Sequence, residues 1–554
     1  MLMIRSNIAW LVIAFVVSAC ATGTKLAPQV KTVDPDQTPI LKPRSHKEYR
    51  YWDFIDHTLV YQIGKTLDLS YTGRRFGGSV GIGEGRQADN VNAIDEVCES
   101  SWYANRHYLH PMTVEQLARG PGAAVPDTTK PWEIVSGKFW GVSAGFNIRD
   151  SKNQIYIIKF DTKDWPEMAS SAEVISTKIL YAAGYNVPRN SVVIFSPSKV
   201  FIGPEATVKT PDGTQRPMTA TDLENIWAKV NIRPDGSVRA VSSMFLPGEI
   251  LGPFAYHGRR SDDPNDRVAH EHRRELRGLR VISSWLNDAD RRTANTLDMY
   301  VPVSGDRGFV KHYIIDMGST LGSNSRIPHL PRYGNEYLWD PGNILKAMLS
   351  LGFHTKRFDN PQSMKHPTIG YFENNTFRPG KWVTAYPNPA FQWCTGRDGF
   401  WGAKIVTSFS NEDVAAIVRT GRLSSSEAET ELTRLLIERR DMIGRYWFGK
   451  VSPLDRFHVE DKTLYFEDLA ITQRLANPAR TSYRYRYLDG RGRSRNAFTE
   501  TDEMSVPIQD PGTESFQGTE IQTRREIGWG KSIRVFIHTS TSGNSTVIRI
   551  EREE

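Results

Sequence analysis

Five polar side chains stand in places where chemistry is feasible. Lys159 sits near the end of the apolar run Ile155-Tyr156-Ile157-Ile158-Lys159-Phe160, and Glu173 lies in the helically spaced segment that follows. Asp290 and Asn295 have Asp-x-x-x-x-Asn spacing, and Asp316 follows Ile314-Ile315 and precedes Met317-Gly318. Together they offer a fixed cation, an amide and three carboxylates, a set able to bind anions, supply oxygen ligands to a hard cation and accept a proton. Singly each has a plainer role. A lysine closing an apolar strand usually extends its ammonium to water, an Asp-x-Gly is usually a turn, and Asp288, Asp290, Arg291 and Arg292 could form a surface salt-bridge loop.

The elements that must position these residues follow from the patterning. Gly145-Phe146-Asn147-Ile148, a polar turn and Ile155–Phe160 read as a β-hairpin carrying Lys159. Asp164-Trp165-Pro166-Glu167 reads as an N-cap with proline in the first turn, opening a helix to Gly184 that bears Glu173. Ser191–Phe195 and Val238–Phe245 are further strands. An arginine-rich helix is expected from about Asp266 to Leu286, its charges mixed and therefore solvated, with His270 and His272 on different faces. Ser410-Asn411-Glu412-Asp413 and Ser424-Ser425-Ser426-Glu427 start later helices. From about Ser452 strands return, Tyr483–Tyr487 alternating at period two and Ile533–Ile537 and Thr546–Ile550 flanking Gly543-Asn544, as in a β-sandwich.

In this order, lysine strand, glutamate helix, Asp-x-x-x-x-Asn loop and apolar strand ending Asp-x-Gly, the segment 132–450 resembles a protein-kinase-like fold. Arg291 directly after Asp290 is most similar to HipA-type and phosphatidylinositol kinases; CotH-type and secretory-pathway kinases are more distant. The resemblance implies an α+β chain with a bilobal protein-kinase-like core followed by a C-terminal all-β sandwich-like domain. It implies an ATP- and Mg2+-dependent phosphotransferase in which Lys159 binds phosphate and pairs with Glu173, Asp290 orients the nucleophile, and Asn295 and Asp316 ligate metal. A phosphate-covering loop would span Gly137 to Gly145, with Gly141, Ser143 and Gly145 contacting nucleotide. Its glycines depart from G-x-G-x-x-G. Phosphoryl transfer needs mainly positioning and charge control around a triphosphate, which suits these residue types.

The amino terminus adds a compartment. Arg5, the apolar run Ile8–Val17 and Val17-Ser18-Ala19-Cys20 resemble a bacterial lipoprotein signal peptide, implying cleavage before an acylated Cys20 and anchoring in a lipid bilayer. The run is shorter than the ~18–20 residues that span a bilayer. Ala21 after the cysteine implies the outer membrane, facing periplasm or cell surface. Four prolines at 28, 35, 39 and 43 suggest a tether. The expected partition is signal peptide 1–19, lipidated flexible tether 20–48, mixed region 49–131, kinase-like N-lobe 132–252, helical C-lobe 253–451 and β-sandwich 452–554.

Composition sets the outer bounds. The 554 residues, 39% hydrophobic and 24% charged, are ordinary for a globular chain of several domains and exclude collagen, wholesale disorder and a multi-pass membrane protein. Seventy basic against 63 acidic residues leave a formal net charge of +7, too little to argue for nucleic acid. Three cysteines make no disulfide framework, and no spacing suggests zinc; Cys98 and Cys394 could pair if the fold brings them together. The glycine run Gly77–Gly85 reads as a surface loop. Because a periplasm is not supplied with ATP as cytosol is, a second reading stands beside the enzyme: a non-catalytic, pseudokinase-like envelope module that binds glycan or protein.

Overall fold

The computed structural model describes residues 29–46, 86–138, 144–210, 214–339, 348–350, 356, 358–509, 515–525 and 528–554. The signal peptide, Cys20, the Gly77–Gly85 run, Gly141 and Ser143 lie outside the described residues.

The described chain is mixed α/β with several sheets. In order come β1 (Ile40–Leu41), α1 (Val114–Arg119), β2 (Trp132–Lys138), β3 (Gly145–Arg149), β4 (Ile155–Phe160), α2 (Met168–Ala182), β5 (Asn190–Phe195) and β6 (Val200–Lys209). Next are β7 (Gln215–Pro217), α3 (Ala220–Trp227), β8 (Val238–Met244), β9 (Glu249–Gly252), α4 (Arg274–Leu286), β10 (Thr296–Ser304), β11 (Arg307–Ile314) and α5 (Pro389–Gln392). Helices α6 (Gly396–Thr407), α7 (Asn411–Arg419) and α8 (Ser426–Phe448) lead into β12 (Leu454–Glu460), β13 (Thr463–Asp468), α9 (Leu469–Thr472) and β14 (Ser482–Leu488). The last strands are β15 (Thr499–Thr501), β16 (Ser505–Pro507), β17 (Phe516–Arg524), β18 (Ile533–Thr539) and β19 (Ser545–Arg552).

A seven-stranded sheet of order β5-β8-β4-β3-β2-β6-β7 carries Lys159. Strand β4 alternates, so Tyr156, Ile158 and Phe160 enter the core under the sheet while Lys159 emerges on the other face. That face receives α2, which is buried nearly all round because it lies between the sheet and the helical part of the molecule. Val174 meets Val192 and Val241 of the sheet, while Ile175 and Ile179 join the larger core formed with α4, α6, α7 and α8.

Two smaller sheets, β12-β13-β16 and β15-β14-β17-β18-β19, share one apolar core that includes Leu464, Val506, Tyr483, Ile521 and Val535. The hairpin at 145–160 and both helix starts at Ser410 and Ser425 form as their residues require. Ser410 and Asp413 make a reciprocal capping box.

Four expectations need correction. Residues 29–46 include no free tether along their length: β1 pairs with β11, Ile40 is buried, and the Asp36 carboxylate accepts from the backbone and hydroxyl of Ser101. Those contacts supply the partners that proline-rich composition alone did not reveal. The helix bearing Glu173 begins at Met168, not after an Asp164 cap, because Glu167 at the boundary takes a left-handed conformation with φ 69°. The boundary expected at 252 divides a sheet. Gly248, at φ 100°, turns the chain out of the seven-stranded sheet, and β9 pairs with β10 in a sheet of order β1-β11-β10-β9.

The fourth correction concerns Arg273, Arg274 and Arg277, which are buried, not solvated, while Arg267 stays exposed. Arg274 binds Asp95 at 2.5 Å and Asp398 at 3.2 Å, Arg277 binds Asp398 at 3.2 Å, and Arg273 binds Asp266 and Glu275 while lying over the Trp102 ring. The helix itself starts only at Arg274, since Arg273 is extended and His270–His272 form a separate 3₁₀ turn. Both histidines are buried in protein contacts, His270 with Asp266 and His272 with Arg277. Asp95 also binds Arg552 of β19 at 2.8 Å, and Arg552 reaches Asp455 at 3.1 Å, so one chain of buried charges joins residues near 95, α4, α6 and the last sheet. Cys98 and Cys394 are free thiols. Among the described residues no helix is long and apolar enough to cross a membrane.

Candidate functional site

Lys159, Glu173 and Asp316 meet in space. The Lys159 ammonium donates to Glu173 Oε1 at 2.9 Å and Oε2 at 3.2 Å, and to Asp316 Oδ1 at 3.1 Å. Burial alone would lower the lysine pKa, but the carboxylates of Asp316 and Glu173 outweigh it and raise the value, so Nζ stays a cation. Glu173 is 4% exposed and needs those partners. Its helix is steadied by Asn190 on β5, whose Nδ2 reaches Thr177 Oγ1 at 2.9 Å and Glu173 Oε1 at 3.4 Å. Asn190 was not anticipated from sequence, and no spacing signals it.

Gly145 lies opposite Lys159 in the β3–β4 register, and Lys138 lies opposite Gly145, so β2 ends and β3 begins at the lysine end of the sheet. A Cβ on Gly145 would stand 2.2 Å from the Ile158 carbonyl oxygen, and only glycine fits that approach.

The second half of the site follows α4. Asn287 closes the helix in a left-handed conformation, φ 51°, and its side chain is fixed by Trp382 Nε1 at 2.9 Å. Arg291, buried, pairs with Asp288 and donates to the carbonyls of Asn295 at 2.8 Å and Ile315 at 2.9 Å. One guanidinium thus ties the Asp290–Asn295 loop to the residue before Asp316. The backbone of Ile315 adds a bond to the Asn295 carbonyl at 3.1 Å. Asn295 Nδ2 donates to the Asp290 carbonyl at 2.6 Å and carboxylate at 3.2 Å, and Arg292 pairs with Asp290 at 3.0 Å.

Asp290 has its pKa raised, by burial first and by the nearby Asp316 charge, with Arg292 and Asn295 opposing. A carboxylate held above its ordinary range is a better proton acceptor. Asp316 takes φ 58°, a conformation a non-glycine residue avoids, and strain of that kind gathers at functional sites. Met317 behind it is fully buried, and a Cβ on Gly318 would lie 3.4 Å from Glu173 Oε2. The Asp-Met-Gly segment therefore runs directly beside the glutamate.

The structure thus joins Lys159, Glu173 and Asp316 by direct bonds, joins Asp290 to Asn295, and links the two groups through Arg291. No group of three or more His, Cys, Asp or Glu that could hold a metal occurs among the described residues. The oxygen donors here nonetheless suit Mg2+, which takes one or two carboxylates and completes its shell with water and substrate phosphate. Asp316 and Asn295 are the residues that would hold it, and Lys159 is placed for an anionic phosphate.

No protein-family model matches the chain, and no curated protein matches it. Two solved structures of Golgi casein kinase are similar in outline. One covers 60% of this chain and 76% of its own at 11% identity and a TM-score of 0.26. The other, solved with Mn/ADP bound, covers 75% and 95% at 10% identity and a TM-score of 0.27. Likeness at that level is slight.

Proposed function

We propose that this chain is a lipid-anchored envelope phosphotransferase with a bilobal, kinase-like core and a C-terminal β-sandwich, attached to the bilayer through acylated Cys20. The single observation that carries the catalytic part is the three-way contact of Lys159, Glu173 and Asp316, residues from a strand, a helix and a strand end brought to one point. Such a contact has a use when a phosphate must be bound beside a metal-binding carboxylate.

In this reading the Lys159 ammonium holds nucleotide phosphate, and Glu173 keeps it oriented. Asp290 accepts a hydrogen bond from the attacking hydroxyl and takes its proton as the phosphoryl group is transferred. Asn295 and Asp316 hold Mg2+, which when bound neutralises charge on the phosphate oxygens. Arg291 fixes the spacing between the Asp290 and Asp316 segments.

A second reading is favoured by Arg292. Its guanidinium already pairs with Asp290 at 3.0 Å, as would suit a non-catalytic module whose base is not released, and which binds glycan or protein instead. A thermal-shift titration with ATP and MgCl2 tests the nucleotide claim: Tm should rise, and Asp316→Ala should abolish the rise. Absence of any Mg2+-dependent stabilisation would remove the enzyme reading. Nucleotide binding without phosphorylated or nucleotidylated product by mass spectrometry would leave the binding module.

A further inference from the structure

One cavity lies away from the Lys159 cluster. It lies where the end of α8 meets the C-terminal sheets and has a volume of about 560 Å³, a size that takes small molecules. Three cationic side chains line it, Arg480, Arg525 and Lys531, and no Asp or Glu among the described residues does. Arg525 is held by the buried Asp468 carboxylate at 2.5 Å, and Lys531 Nζ reaches the Glu554 carbonyl at 3.0 Å and the Glu553 carboxylate at 3.8 Å, so two of the cations are fixed in place and Arg480 has the freest charge. Arg480 is exposed.

Its wall also contains polar groups without partners. Ser452 and Thr523 are 4% and 6% exposed, yet neither hydroxyl has a hydrogen-bond partner, and the Arg525 Nε is likewise unbonded. The carbonyl end of α8 opens on the same space beside the apolar Phe448 and Leu475. Helix ends leave carbonyls free to accept from hydroxyl donors.

From the cationic lining and the helix end together, we propose that this cavity is a binding site for a phosphoester of a polyol, the phosphate facing the cations and the hydroxyls facing the helix end. Glycerol phosphate is the shared chemistry of two sources, a soluble metabolite and a phospholipid headgroup. The site is independent of the Lys159 cluster.

Calorimetric titration of the purified protein with glycerol 3-phosphate, glycerol serving as the control, tests it. Saturable 1:1 binding is expected for the phosphoester alone. The double variant Arg480→Glu, Lys531→Glu should weaken it about tenfold or more, since charge-assisted bonds are replaced by repulsion. Arg480→Lys with Lys531→Arg should keep most of the affinity, and Asp316→Asn should leave it intact. Heat of dilution only, equal binding by the charge-reversed variant, or loss in Asp316→Asn overturns the proposal. Sedimentation with phosphatidylglycerol vesicles, against phosphatidylcholine, then assigns the source. Retention that glycerol 3-phosphate competes away and the double variant loses marks a headgroup site, and soluble binding without retention marks a metabolite site.

Discussion

Lys159 Nζ lies 3.1 Å from Asp316 Oδ1 although 157 residues separate them in the chain. The bond closes the gap between the seven-stranded sheet and the segment after β11, and the same ammonium holds Glu173. Removing the ammonium takes two hydrogen bonds from a buried glutamate, so the site's geometry depends on it as much as its charge does.

Substitution at these residues should separate two roles. Lys159→Met is expected to lower kcat/KM of phosphotransfer by about a hundredfold or more, as loss of a charge-stabilising group does. Asn190→Ala, which touches Glu173 without reaching the phosphate side, should cost about tenfold, mostly in kcat, because it acts through orientation. Equal losses from the two variants would contradict this division. Steady-state kinetics with any accepted phosphoacceptor makes the comparison.

The acid limb of the rate profile should report Asp290. Its pKa is raised by burial, and proton transfer requires the carboxylate, so kcat/KM falls as pH drops through a value above the ordinary 3.8. Arg292 opposes that shift. Arg292→Ala should therefore move the acid limb to higher pH, and a limb that stays in place would show that Asp290 is not the group titrating.

Stability should depend on pH through His329. Burial holds its imidazole pKa down to about 3, with Arg439 adding to the effect and a hydrogen bond at Ser319 opposing it. The unfolded chain binds the proton below about 6.5 and the folded chain does not. Stability from this group is complete above that pH and is lost progressively as pH falls toward 3. Denaturant midpoints measured between pH 7 and 5 should decline, and His329→Gln should flatten the slope while lowering stability at pH 7.

Asp95→Asn should destabilise the fold by about 3–5 kcal/mol, the usual cost of breaking a buried ion pair from one side. Arg274 and Arg552 would both lose their shared carboxylate. Urea unfolding measures it, and a change below about 1 kcal/mol would mean water or relaxation replaces the pair.

Much of the site was legible because its residues sit on strongly patterned elements. Lys159 closes an alternating strand, and Asp290, Asn295 and Asp316 follow a long helix and an apolar strand, so type and order sufficed to select them. The buried arginines of α4 were not legible. Alternating charge looks the same whether its partners are water or Asp95 and Asp398, and those partners lie far off in sequence. Asn190 was missed for a related reason: it matters through contacts that no local period encodes. Ile40 hid among prolines because a two-residue strand has no period, and only its pairing with Gly308 makes it a strand.

The charge chain through Asp95 also has a schedule. Synthesis runs from the amino terminus, and domains fold as they emerge. Asp95 must wait 179 residues for Arg274 and 457 for Arg552. Until Arg274 appears, the segment around Asp95 cannot bury its carboxylate, and until β19 appears, Arg552 is not there to bridge Asp95 to Asp455. The segment near residue 95 is thus made long before it is locked, which makes its final burial a report that the whole length between has already been assembled.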